Sequence, residues 1–128
     1  WLEFENVERK KKILVVDDSD FMRTKMTQLL AAHYDMIEAS SSISAIKKIT
    51  INRPDLVLLD YEMPVCDGKM TLEMIRAEED LKNIPVVFLT AVNDRANIEA
   101  VLKLKPAGYF LKPPVKDRLI EEIDRILG

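Results

Sequence analysis

Four short apolar runs each end in a polar side chain. Ile13-Leu14-Val15-Val16 leads into Asp17-Asp18, and Leu56-Val57-Leu58-Leu59 leads into Asp60. Val86-Val87-Phe88-Leu89 ends at Thr90, and Tyr109-Phe110-Leu111 ends at Lys112-Pro113. The runs are apolar throughout rather than alternating. That is the pattern of strands covered on both faces of a parallel sheet. A fifth, weaker strand is predicted over Asp35–Ala39.

Segments with helical spacing fill the gaps. Ser19 or Asp18 can cap a helix over roughly 19–32, with Phe21, Met22, Met26, Leu29 and Leu30 on its inner face. Serines 40 to 42 precede a helix running to about Ile51, with Ile43, Ile46 and Ile49 in step. Asn52-Arg53-Pro54 breaks the chain before the strand Asp55–Asp60. Gly68 introduces a helix to about Glu79, and Asn83-Ile84-Pro85 turns into the strand Val86–Thr90. Asn93-Asp94 can cap a helix to about Leu104, and Ala107–Leu111 is the last strand. Val115, Leu119, Ile120, Ile123, Ile126 and Leu127 make the inner stripe of the final helix. Five strand–helix units of this kind predict an α/β fold with a parallel sheet and helices on both faces. In such a sheet the carboxyl ends of the strands lie side by side, and ligands bind there. Three carboxylates, a hydroxyl and an ammonium would then converge.

Composition narrows the reading. The chain has 128 residues, 48% apolar and 32% charged, ordinary for one globular domain. A net charge of -3 gives no reason to expect nucleic-acid binding. No apolar stretch approaches the length of a membrane span, and no signal-peptide pattern is present. The single cysteine, Cys66, allows no internal disulfide and suits a reducing cytoplasm. Residues 1–11 read as an N-terminal linker or tail and 12–128 as the domain. Arg9-Lys10-Lys11-Lys12 reads as a solvated lead-in to the first strand.

The polar strand ends carry the chemistry. Asp17 and Asp18 repel unless a cation sits between them, and a hard divalent ion with oxygen ligands such as Mg²⁺ is the natural one. A helix N-cap would account for one of the pair and leave the other unexplained. Asp60 can supply a further oxygen. Lys112 can act as a point charge toward phosphate, or as a surface lysine paired with an acid. Thr90 can donate a hydroxyl to the same phosphate, or serve as a cap or turn. The set suggests phosphoryl chemistry with Asp60 as nucleophile, since an ionised aspartate needs no separate base. His33, the only histidine, lies near the end of the first helix and reads as a helix-end residue. Cys66 reads as incidental, having no basic neighbour in sequence.

With these residues in order, the chain resembles the receiver domain of two-component response regulators over about residues 12–127. The acidic pair is Asp17-Asp18, and the segment Asp-x-x-Met-Pro-x-x-Asp-Gly matches at Asp60, Met63, Pro64, Asp67 and Gly68. The hydroxyl is Thr90, followed by Ala91. The switch aromatic is Tyr109 after Gly108, and the Lys-Pro pair is Lys112-Pro113. The resemblance implies a five-stranded sheet in the order 2-1-3-4-5, like flavodoxin. It implies that Asp60 takes a phosphoryl group from a phosphohistidine on a sensor histidine kinase or histidine phosphotransfer protein. It implies Mg²⁺ held by Asp18 and Asp60 directly, by Asp17 through water, and by the main-chain carbonyl of Glu62. Thr90 and Tyr109 would carry the switch, and Lys112-Pro113 would be cis. Glu62 and Val92 would tune access of water to the acyl phosphate.

The resemblance further implies a signalling face made by the last helices and strand, with further domains of the same polypeptide as possible partners. Regulators with DNA-binding outputs often continue past Lys-Pro with Phe and then Glu-Leu. Here the chain reads Pro114-Val115-Lys116-Asp117-Arg118-Leu119, which weakens the case for that dimer. Two other readings stay open: a binding-only pseudo-receiver, and a Mg²⁺-dependent aspartyl phosphohydrolase in which Glu62 protonates the leaving group. A flavin binder is disfavoured, because Asp17-Asp18 would repel a phosphate unless a metal intervened.

Overall fold

The apolar runs form strands and the segments between them form helices, in strict alternation. The computed structural model describes residues 10–63, 67–90, 95–112 and 114–128, with 95–97 described by backbone alone. The order is β1 (Lys12–Val16), α1 (Asp20–Leu30), β2 (Asp35–Ala39), α2 (Ser42–Asn52), β3 (Leu56–Asp60) and α3 (Gly68–Ala77). It continues with β4 (Val86–Thr90), α4 (Arg95–Lys103), β5 (Gly108–Leu111) and α5 (Lys116–Leu127). The strands form one parallel sheet ordered β2-β1-β3-β4-β5.

Successive residues of a strand point to opposite faces, so one apolar run serves two cores. Leu14, Val16, Val57, Leu59, Val86 and Phe88 pack with Ala45 and Ile49 of α2, Leu72 and Ile75 of α3, and Val101 of α4. Ile13, Val15, Leu56, Leu58, Val87 and Leu89 pack with Met26 and Leu30 of α1 and Leu119 and Ile123 of α5. β3 and β4 are buried along their whole length, which is why they show no polar alternation.

Among the described residues, side-chain oxygens cap three helices. The Ser19 hydroxyl accepts from the Met22 N–H at 3.3 Å, Ser41 from Ser44 at 3.1 Å, and Asp67 from Met70 at 2.9 Å. Two helical faces differ from expectation. Phe21 is 71% exposed and Ile43 is 69% exposed, although both sit at apolar-period positions. Each lies in the first turn of its helix, whose buried residues start later or on another face: Met26 and Leu30 in α1, and Ser42, Ala45 and Ile49 in α2. Val115 is also exposed, because it occupies the N-cap of α5 rather than its inner stripe. Strand and helix ends otherwise shift by a residue or two, as at β1, which closes at Val16 rather than Asp17. Among the described residues no helix is long and apolar enough to cross a membrane.

Candidate functional site

Sheet order locates the site. From β1 the chain moves outward to β2 and then returns to β3 on the other side, so a crevice opens between β1 and β3 at their carboxyl ends. Val16 is in register with Leu59, which sets Asp17 beside Asp60. Asp60 is in register with Leu89, and Thr90 with Leu111, which brings Thr90 and Lys112 to the same edge. The chain is anchored as it leaves β1, β3 and β5. Asp17 N–H donates to Ala39 at 3.1 Å, Tyr61 N–H to Leu89 at 3.0 Å, and Lys112 N–H to Thr90 at 2.8 Å.

The carboxylates of Asp17, Asp18 and Asp60 each offer an oxygen within 4.8 Å of the others. Asp17 and Asp60 are buried and Asp18 is exposed, so the cluster opens to solvent on one side. Lys112 Nζ lies 2.7 Å from Asp17 Oδ2 and 3.1 Å from Asp60 Oδ1. Asp17 Oδ1 accepts from the Ser19 N–H at 2.9 Å, and Asp60 Oδ1 accepts from the Glu62 N–H at 3.2 Å. The N-cap alternative for the acidic pair therefore fails, because Ser19 caps α1 and both aspartates belong to the crevice.

The electrostatics are unbalanced. Among the described residues, three carboxylates face the Lys112 ammonium. Burial pushes the Asp60 carboxyl from 3.8 up to about 6, and the Asp17 charge adds to the push. Lys112 and the Glu62 N–H pull the other way and do not win. Burial works against the charge on Lys112, but its bonds to Asp17 and Asp60 outweigh it and raise the ammonium above its ordinary 10.5. Lys112 is thus firmly cationic, and Asp60 is a carboxylate short of positive charge. A hard divalent cation fits this all-oxygen, net-negative cluster.

Gly68 holds the loop after β3 against the sheet. A Cβ there would lie 2.8 Å from Tyr61 Cα, 2.9 Å from the Asp60 carbonyl oxygen and 2.9 Å from the Phe88 ring. The Gly68 N–H donates to the Tyr61 carbonyl at 2.9 Å, and the Tyr61 ring stands edge-on to Phe88 at 5.4 Å. Only a residue without a side chain lets α3 start this close to Asp60.

The remaining expected residues fall as follows. Glu62 is exposed at the mouth, and Thr90 is buried at the end of β4. Tyr109 is half-buried on β5, packed against the core beneath α2, α3 and α4 and in register with Phe88. His33 is exposed in the turn after α1, away from the crevice. Val92, Cys66 and Pro113, and with Pro113 the isomer of its peptide bond, lie outside the described residues. Sequence reasoning missed two features. Arg23 reaches back from α1 to the Asp17 carbonyl at 2.5 Å. The hydroxyls of Ser42 and Thr71 meet at 2.6 Å in the buried seam between α2 and α3. Neither has a sequence signal, since each contact depends on how helices cross.

The family model described as response regulator receiver domain matches residues 13–124. Chemotaxis protein CheY1 of Helicobacter pylori is 32% identical over 120 residues, covering 91% of this chain and 97% of that protein. A protein-glutamate methylesterase/protein-glutamine glutaminase of Bacillus licheniformis is 36% identical over 124 residues, covering 88% of this chain but 34% of that protein. Hybrid signal transduction histidine kinase D of Dictyostelium discoideum is 29% identical over 123 residues, covering 96% of this chain and 8% of that protein. The chain therefore spans about a third of the methylesterase and a far smaller part of the kinase. Among solved structures, chemotaxis protein CheY4 of Vibrio cholerae superposes with a TM-score of 0.84 at 25% identity, covering 92% of this chain and 99% of that one. The acidic crevice, the 2-1-3-4-5 sheet and these matches agree, and the chain belongs to the response regulator receiver domains of two-component systems.

Proposed function

We propose that this domain is a phosphoacceptor switch and that Asp60 is the residue phosphorylated. The observation that carries the reading is the position of the Asp60 carboxylate. It is buried at the end of the central strand, paired with Lys112 and clustered with Asp17 and Asp18. Among the described residues Lys112 and the Glu62 N–H engage its Oδ1, and Oδ2 would be the attacking oxygen. Attack on the phosphorus of a phosphohistidine forms an Asp60 acyl phosphate and breaks the P–N bond. The bonding pair leaves with the imidazole of the donor.

Mg²⁺ would be held by the Asp18 and Asp60 carboxylates and the Glu62 main-chain carbonyl, with Asp17 acting through water. The engagement of both Asp17 oxygens, by Ser19 and Lys112, supports that indirect role. When bound, the ion would offset charge on the phosphoryl oxygens. Lys112 would contribute a second positive charge to the same oxygens. Thr90 would turn its hydroxyl toward the phosphoryl group and Tyr109 would follow inward. That motion would shift the population of conformers at the surface of β4, α4, β5 and α5.

Receiver domains work with histidine kinases, and the donor for this chain would be a sensor histidine kinase or a histidine phosphotransfer protein. A separate target protein or further domains of the same polypeptide would read the switch. Incubation with Mg²⁺ and acetyl phosphate should add one phosphoryl group by intact mass. The same gain in Asp60→Asn would sink the assignment.

A further inference from the structure

The geometry points to Arg23 as a positioning residue that aims the acidic pair, an inference that rests on the metal-assisted reading of the crevice. Arg23 stands in α1, outside the set of carboxylates and Lys112. Its guanidinium is largely covered, with 13% of the side chain exposed. Nη1 donates to the main-chain carbonyl of Asp17 at 2.5 Å. Nη2 pairs with Asp20, and Nε lies 3.5 Å from Glu38 Oε1 on β2. One planar fork thus ties the β1–α1 connection to the adjacent strand.

The Asp17 carbonyl belongs to the peptide that joins the two aspartates. The preceding peptide is held from the other side, through the Asp17 N–H on Ala39, the residue after Glu38. Asp17 is further fixed by Ser19 and Lys112 at its own carboxylate. Asp18 is exposed, so its aim into the cluster depends on the orientation of the peptide that carries it. Arg23 sets that orientation. Without the guanidinium, a largely buried carbonyl loses its donor and the Asp17–Asp18 peptide can rotate toward solvent. Asp18 then leaves the cluster without any change to its own side chain.

The sign of the effect separates positioning from simple charge. Arg23 is a cation close to a cation site. If it acted only through its charge, removing it would tighten Mg²⁺ binding. If it positions Asp18, removing it weakens binding, by about tenfold, as for outer residues that orient metal ligands.

The test is calorimetric titration of the chain with Mg²⁺ alone, for wild type, Arg23→Gln, Arg23→Lys and Glu38→Gln. The dissociation constant is expected to rise about tenfold in Arg23→Gln. Arg23→Lys should lie between, because a lysine can keep the bond to the Asp17 carbonyl but not the fork to Glu38. Glu38→Gln should shift it least. In parallel, phosphorylation by acetyl phosphate at increasing Mg²⁺ should show a displaced midpoint and an unchanged plateau in Arg23→Gln. Equal or tighter binding in a folded Arg23→Gln would overturn the inference while leaving the site intact. If Arg23→Gln fails to fold, the lysine and Glu38 variants decide, and wild-type affinity in both would overturn it. Failure of the wild type itself to bind Mg²⁺ would remove the reading of the crevice and this inference with it.

Discussion

Replacing Asp60 by asparagine should stabilise the metal-free fold. Asparagine is nearly isosteric, and its carbonyl oxygen can still accept from the Glu62 N–H and Lys112. What disappears is a buried negative charge set against Asp17. The cost of that charge follows from the rise of the Asp60 carboxyl from 3.8 to about 6. At 1.36 kcal/mol per pH unit this is a ceiling of about 3 kcal/mol against the ionised form. That ceiling already includes the opposing pull of Lys112, and screening through the solvent-facing side of the cluster should leave about 1–2 kcal/mol, or roughly 4–8 °C in Tm for a domain of this size. The assay is thermal and urea unfolding of both proteins with chelator present, from pH 4 to 8.

The pH course carries the sign. Because the folded Asp60 holds its proton more tightly than the unfolded chain does, protonation favours the fold, and that contribution is lost as pH rises through about 6. The two proteins should therefore be alike near pH 4, diverge between about 4 and 6, and differ by a constant amount above about 7. Saturating Mg²⁺ should close the gap by stabilising the wild type more than the variant. An asparagine variant no more stable than wild type at pH 8, or a gap indifferent to pH, would refute the electrostatic reasoning.

Two further outcomes follow from the same geometry. Gly68→Ala should cost about 1–3 kcal/mol in urea unfolding, because its Cβ would press on Tyr61 Cα and the Asp60 carbonyl at under 3 Å; a neutral effect would show that the loop yields freely. Lys112→Ala should fold and bind Mg²⁺ at least as tightly, since a competing cation is gone, yet accept a phosphoryl group from acetyl phosphate much more slowly; wild-type phosphorylation kinetics would contradict the role given to its charge.

The sequence by itself determined the strands, their direction and the residues at their ends. Runs such as Leu56–Leu59 are apolar at every position because both faces are covered, as in a parallel sheet between helix layers, and their alternation with helical segments selects that arrangement. A residue that ends such a run stands at the ligand edge whatever the loops do, so Asp17, Asp60, Thr90 and Lys112 could be named without coordinates. Tertiary structure decided which polar atoms meet and which apolar ones do not. Asp17 divides its oxygens between Ser19 and Lys112, a choice set by the β1–β3 register and by a partner far along the chain. Phe21 and Ile43 keep the helical period but face solvent, because burial depends on what packs against a position and not on spacing alone. Arg23 looks like any surface arginine of a helix until α1 lies beside β2 and its fork closes on Asp17, Asp20 and Glu38. Periodicity is a property of neighbours along the chain and reads out elements. Contacts between elements depend on crossing geometry, which no local pattern encodes.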